Sequence, residues 1–96
     1  MSVDLPEALA LLERLVAFDT RNPPRAIDRG GIFDCLMDAL GAGFSCAIED
    51  LGDGCLSLFA VRGSPRRLFN VHIDTVPADA EWKTSPHRLI VEGDRA

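Results

Sequence analysis

The sequence predicts an α/β chain in which helices pack on the faces of a mixed sheet. Three observations lead there. Two early stretches repeat apolar residues every three to four positions, the period of an amphipathic helix. Residues 44–49 alternate apolar with polar side chains, the period of a strand. Residues 68–74 are apolar with little alternation, which fits a central strand covered on both sides. Helix, helix, then four strands is the order expected of a layered α/β arrangement.

The first helix has a start signal. Asp4 can cap it, Pro6 suits its first turn, and Glu7 stands three residues after Asp4 in capping-box spacing. Leu5, Leu9, Leu12, Leu15, Val16 and Phe18 form its apolar stripe, and Asn22-Pro23-Pro24 prevents it from running past about Asp19. Gly30-Gly31 precedes a second helix with Ile32, Phe33, Leu36, Met37 and Leu40 on one side, and Gly41 and Gly43 end it. A strand carrying Phe44, Cys46 and Ile48 follows. Asp53-Gly54 marks a tight turn, and Cys55 to Val61 is the antiparallel return. Arg62 to Arg67 reads as a solvated loop whose three arginines are candidates to meet a substrate anion but read first as surface charge. Leu68 to Asp74 is the expected central strand, which Pro77 stops. Pro77 to Pro86 is irregular, and Arg88 to Glu92 is a short strand entering a hairpin signal at Gly93-Asp94.

Composition excludes several classes. The chain has 96 residues, 10 Lys plus Arg against 15 Asp plus Glu, and 47% hydrophobic residues. That is one domain at most, burying about 60–65% of its unfolded surface. A net charge of −5 argues against a nucleic-acid surface, which tracks phosphates with basic residues. No apolar run approaches the roughly 20 residues that span a bilayer, so no membrane partner is expected, and Asp4 and Glu7 give the start no secretory character. Cys35, Cys46 and Cys55 lack paired spacing and sit among apolar neighbours. They read as buried free thiols in a reducing, cytoplasmic setting.

Chemistry concentrates in His72-Ile73-Asp74-Thr75-Val76-Pro77. On a strand, residues two apart share a face, about 6–7 Å apart along the backbone, so Asp74 can reach the ring of His72. A carboxylate that accepts the proton of one ring nitrogen leaves the other free for a metal, and ligands of α/β sheets gather beyond the carboxyl ends of strands. Spacing alone leaves a plain hydrogen-bonded pair as the alternative, since a metal takes three or four protein ligands. His87, in Ser85-Pro86-His87, is the other histidine and reads as a surface-loop residue. The sequence has no Cys pair, no glycine-rich phosphate loop and no nucleophile elbow.

Four segments, in order and at similar spacing, carry a family resemblance. They are Leu12 to Pro24 with its Thr20-Arg21-Asn22-Pro23 loop, Gly31 to Asp34, Leu68 to Pro77, and Trp82 to His87. Together they resemble the N-terminal part of the acetylornithine deacetylase and succinyl-diaminopimelate desuccinylase family, metal-dependent amidohydrolases related to aminoacylases and dizinc carboxypeptidases. The run from Phe18 to Arg25 together with Leu68-Phe69-Asn70-Val71-His72 is most similar to its acetylornithine or acetylcitrulline deacetylase branch. The segment from Leu68 to Pro77 is the specific one, and the other three support it.

The resemblance implies that residues 1–96 are the N-terminal part of a zinc-peptidase-like catalytic domain, with the lid and dimerisation domain absent. It implies that His72 is a metal ligand. Asp74 is then the candidate catalytic carboxylate, orienting the His72 ring and raising its basicity. The family's cofactor is Zn(2+) or Co(2+), two per complete active site, acting with a glutamate base on a water that attacks an amide carbonyl. The expected partner is a small N-acyl amino acid, cleaved to acetate and a free amino acid in arginine biosynthesis by a cytoplasmic homodimer. The remaining ligands and the glutamate base of the family lie outside these 96 residues, so the isolated chain is expected to be inactive. Two alternatives stand beside this reading: a non-catalytic interaction module that pairs through an open sheet edge, and a related desuccinylase or dipeptidase. Arg21 and Arg25 are candidates to meet a substrate carboxylate but read first as surface or helix-end residues. Thr20 and Asn22 read as turn-shaping residues, and Trp82 as a packing residue.

Overall fold

Helix α1 (Leu5–Val16) starts where the sequence places its cap, in a computed structural model that describes residues 4–96. Asp4 is extended, and its carboxylate accepts the Glu7 N–H at 3.5 Å, a long and weak capping bond. The helix closes at Ala17, two residues before Asp19. Its packing face is turned from the expected stripe: Leu9, Leu11, Leu15 and Val16 are half-buried, while Leu5 and Leu12 are exposed. The reason is that α1 packs mainly against α2 (Ile32–Leu40); Arg14 and Asp38 approach to 3.7 Å across that contact.

The second helix carries the core. Ile32, Phe33 and Cys35 are buried, with Leu36 and Met37 half-buried beside them. Gly31 caps this helix at φ 60, in the left-handed region. A Cβ there would sit at an ordinary 3.5 Å from the Phe18 ring, so it is the backbone conformation that calls for glycine. Gly41 ends the helix, its N–H donating to the Met37 carbonyl at 3.1 Å.

Strands β1 (Ser45–Asp50) and β2 (Leu56–Val61) pair antiparallel, Ser45 opposite Val61 and Asp50 opposite Leu56. Asp53 and Gly54 both take positive φ, 54 and 75, and the Cys55 N–H returns to the Gly52 carbonyl at 3.0 Å. That is the mirror-image tight turn whose twist matches a hairpin. Cys46 and Ile48 point to the half-buried side and Ser45, Ala47 and Glu49 to solvent, as the alternation requires.

The rest of the expected sheet is corrected. Among the described residues the sheet has two antiparallel strands, and it is not mixed. Leu68 to Asp74 forms no strand, and Leu68, Phe69 and Val71 are 88%, 87% and 81% exposed. A central strand needs neighbours on both edges and cover on both faces, and neither hairpin strand turns an edge to this run. Arg88 to Glu92 is likewise no strand, although Glu92 and Arg95 close a small bridge around the expected Gly93-Asp94 turn. The thiols also differ: all three are free, but only Cys35 is buried, Cys46 is half-buried and Cys55 is exposed. The molecule is accordingly open. Its radius of gyration is 15.1 Å, against about 12.5 Å for a compact domain of this length. Its accessible surface is 8028 Å², against roughly 5400 Å² for a fully folded chain of this mass.

Candidate metal-ligand site

Two distant segments are stitched together just after α1. Arg21 and Thr75 form a parallel bridge: the Thr75 N–H donates to the Thr20 carbonyl and the Asn22 N–H to the Thr75 carbonyl, each at 2.8 Å. The Thr20 and Thr75 hydroxyls hydrogen-bond at 2.9 Å, and Thr20 is the one buried polar residue among those described. This stitch orders the chain beside His72. Sequence reading treated Thr20 and Asn22 as shaping a local turn and missed the pairing. A two-residue bridge leaves no periodicity to find.

At the stitch, the His72 and Asp74 side chains meet, although the backbone between them is a loop and not the end of a strand. The His72 Nδ1 lies 3.0 Å from Asp74 Oδ1 and 3.1 Å from the Asp74 carbonyl oxygen. Both neighbours are acceptors, so Nδ1 carries the proton, and in the neutral ring Nε2 keeps its lone pair. The ring is 85% exposed and the carboxylate 43%. The second carboxylate oxygen, Asp74 Oδ2, accepts the Asn22 Nδ2–H at 3.1 Å. Donation from Asn22, and then from His72, holds the Asp74 carboxyl below its ordinary range. The product is a short chain of donors, Asn22 to Asp74 and His72 to Asp74, that leaves one basic nitrogen facing outward.

The other candidates are engaged elsewhere. Arg21 forms a two-pronged ion pair with Asp19, Nε to Oδ1 at 2.8 Å and Nη2 to Oδ2 at 2.7 Å. Hydrogen bonds from Arg21 lower the Asp19 carboxyl to about 2, and Asp19 raises Arg21 in return. Arg25 donates to the Gly52 and Asp53 carbonyls at 3.2 and 2.7 Å, tying the proline loop to the hairpin turn. Arg62 lies over the Phe44 ring at 5.3 Å, a cation–π contact. These are structural roles, in line with the surface reading of the arginines. His87 Nδ1 donates to the Val16 carbonyl at 3.3 Å and so closes the end of α1. Trp82, expected in packing, is 58% exposed.

Chemically, the arrangement offers one imidazole nitrogen of fixed tautomer. Among the described residues no group of three or more His, Cys, Asp or Glu side chains is placed to hold a metal, and none of the described helices is long and apolar enough to cross a membrane. Two shallow clefts, one beside Phe18 and Ile32 and one beside Trp82 and Leu89, exclude His72 and Asp74. No family model matches the chain. Among curated proteins it is similar to N-acetyl-L-citrulline deacetylase of Xanthomonas campestris pv. campestris, at 54% identity over 92 residues. The match covers 95% of this chain and 25% of that protein, so the chain spans a quarter of the length of the curated relative it matches.

Proposed function

We propose that this chain belongs to the deacetylase family of that relative and that it contributes a metal-ligand histidine, His72, to a metal-dependent N-acyl-amino-acid deacetylase. The observation that carries the proposal is the geometry of that imidazole: Nδ1 is committed to Asp74 on a side chain that is 85% exposed, which leaves Nε2 for a metal. A histidine ligand needs this state, because the hydrogen bond at one nitrogen sets the tautomer and strengthens the other as a donor. The donor set fits one corner of a site for Zn(2+) or Co(2+). One imidazole does not hold a pair of cations, so the remaining ligands and the base come from chain outside these residues.

In the whole protein, residues 1–96 form the N-terminal part of a zinc-peptidase-like catalytic domain, joined to a lid and dimerisation domain. When bound, the cations supply Lewis-acid polarisation of the amide and a more acidic water. This chain's own part is to aim the His72 ring, hold its Nδ1 proton on Asp74 and keep that carboxylate ionised. The substrate we infer is an N-acetyl amino acid, N-acetylcitrulline first among them, cleaved in the cytoplasm during arginine biosynthesis by a homodimer.

The test is metal content and hydrolysis of N-acetylcitrulline, N-acetylornithine and succinyl-diaminopimelate by the full-length product and its His72→Ala variant. The variant is expected to lose bound zinc or cobalt and more than about 100-fold in activity, beyond the range seen for groups that only support a ligand. A variant that kept both would refute the assignment. A full-length product that preferred the succinylated substrate would move the substrate and leave the ligand in place.

A further inference from the structure

The contact between His72 and Asp74 is local, two residues apart, and a loop could make it without any fold around it. Asn22 is different. It reaches Asp74 from 52 residues away, and its donation at 3.1 Å is the one side-chain hydrogen bond that joins the pair to the rest of the described structure. From this we propose that Asn22 is a positioning residue for the His72 imidazole, acting through Asp74. The proposal rests on the reading of His72 as a metal ligand.

The chemistry favours this side chain. Asp74 Oδ2 can only accept, so the amide must present its NH2 group, and a carboxylate gripped at both oxygens cannot rotate away from the ring. Asn22 is held in turn. Its own N–H is bonded to the Thr75 carbonyl, and Pro23 after it confines its backbone to extended conformations. The Thr20–Thr75 stitch therefore reaches the imidazole through one amide. Since the side chain is 85% exposed, water competes for Nδ1 with its two acceptors on Asp74, the carboxylate that Asn22 grips and the backbone carbonyl.

Nitrogen-15 imidazole spectra of the full chain read that tautomer directly. Wild type is expected to show His72 protonated at Nδ1. Asn22→Leu, which removes the donor, and Asn22→Asp, which sets a second carboxylate against Asp74, are expected to shift the ring towards the free-histidine mixture, in which the Nε2–H form prevails. Asn22→Gln, which keeps an amide donor, should retain part of the wild-type signature. Exchange protection of the Thr75 amide reports the stitch independently. A wild-type tautomer in both Asn22→Leu and Asn22→Asp would overturn the proposal. So would a tautomer change that appears only when Thr75 protection is lost, because the backbone would then be the cause. Titration with Zn(2+) alone separates the two readings. If zinc leaves Nε2 unmoved in wild type while the tautomer still follows Asn22, the ligand reading fails and the positioning role stands. If both hold, the Asn22→Leu chain should bind zinc at His72 about tenfold more weakly, the low end for groups that support a ligand.

Discussion

Phe33 and Phe69 divide the molecule. The first, on α2, is 2% exposed, and the second, three residues before His72, is 87% exposed. Residues 5–61 contain every helix and strand described, whereas residues 62–96 contain turns, one isolated bridge of their own and the Thr75 end of the bridge to Arg21. Hydrophobicity does not separate the halves, because Leu68-Phe69-Asn70-Val71 is as apolar as most of α2. They differ in where their partners come from. A helix satisfies its own backbone, and a hairpin satisfies half of each strand through a tight turn, so both can form from nearby residues. A run meant for the middle of a sheet needs two strands and two covering layers from distant sequence. The His72 site sits at the border between the halves, held to the ordered one by Thr20, Asn22 and Thr75.

The same truncation in each half should give opposite results. Phe33→Ala removes a buried ring and is expected to cost about 3–5 kcal/mol, enough to unfold a chain with so small a core. Phe69→Ala should change stability by less than about 0.5 kcal/mol. Urea midpoints of the two variants measure the contrast, and equal losses would show that residues 68–71 are packed in solution. At the border, removing the Asp74 carboxylate with Asp74→Ala in the full-length product should lower metal affinity or activity about 10–100-fold, less than loss of the ligand itself. Thr20→Val deletes half of the hydroxyl pair that joins the halves and should cost roughly 1 kcal/mol, with Thr75 losing exchange protection before the β1–β2 hairpin does.

The smallest effect is one of pH. Folded Asp19 titrates at about 2, below its ordinary 3.8, so it binds its proton less tightly folded than unfolded. Its contribution is complete above pH 3.8 and is lost as the pH falls towards 2. Solvent screening keeps it small. Carbon-13 titration should show Asp19 returning to the ordinary carboxylate range in Arg21→Ala.

Much of residues 5–61 was legible before any coordinates: the Asp4 start and Gly41 stop of the helices, the alternation of β1 and the Asp53-Gly54 turn are all written in spacing and turn chemistry. The turned face of α1 was not, since Leu11 and Leu12 are equally apolar and only the position of α2 chooses between them. The pairing of His72 with Asp74 was also legible, because two residues of separation suffice, but its setting in a loop was not.

The residues alone determine which segments can become helix or hairpin and which imidazole can have a carboxylate partner, because those properties depend on neighbours a few positions away. Tertiary structure decided the rest. It brought Asn22 to Asp74 across 52 residues, buried Thr20 against Thr75, and left Leu68 to Val71 facing water. Contacts between distant segments depend on which surfaces meet, and no local pattern encodes that.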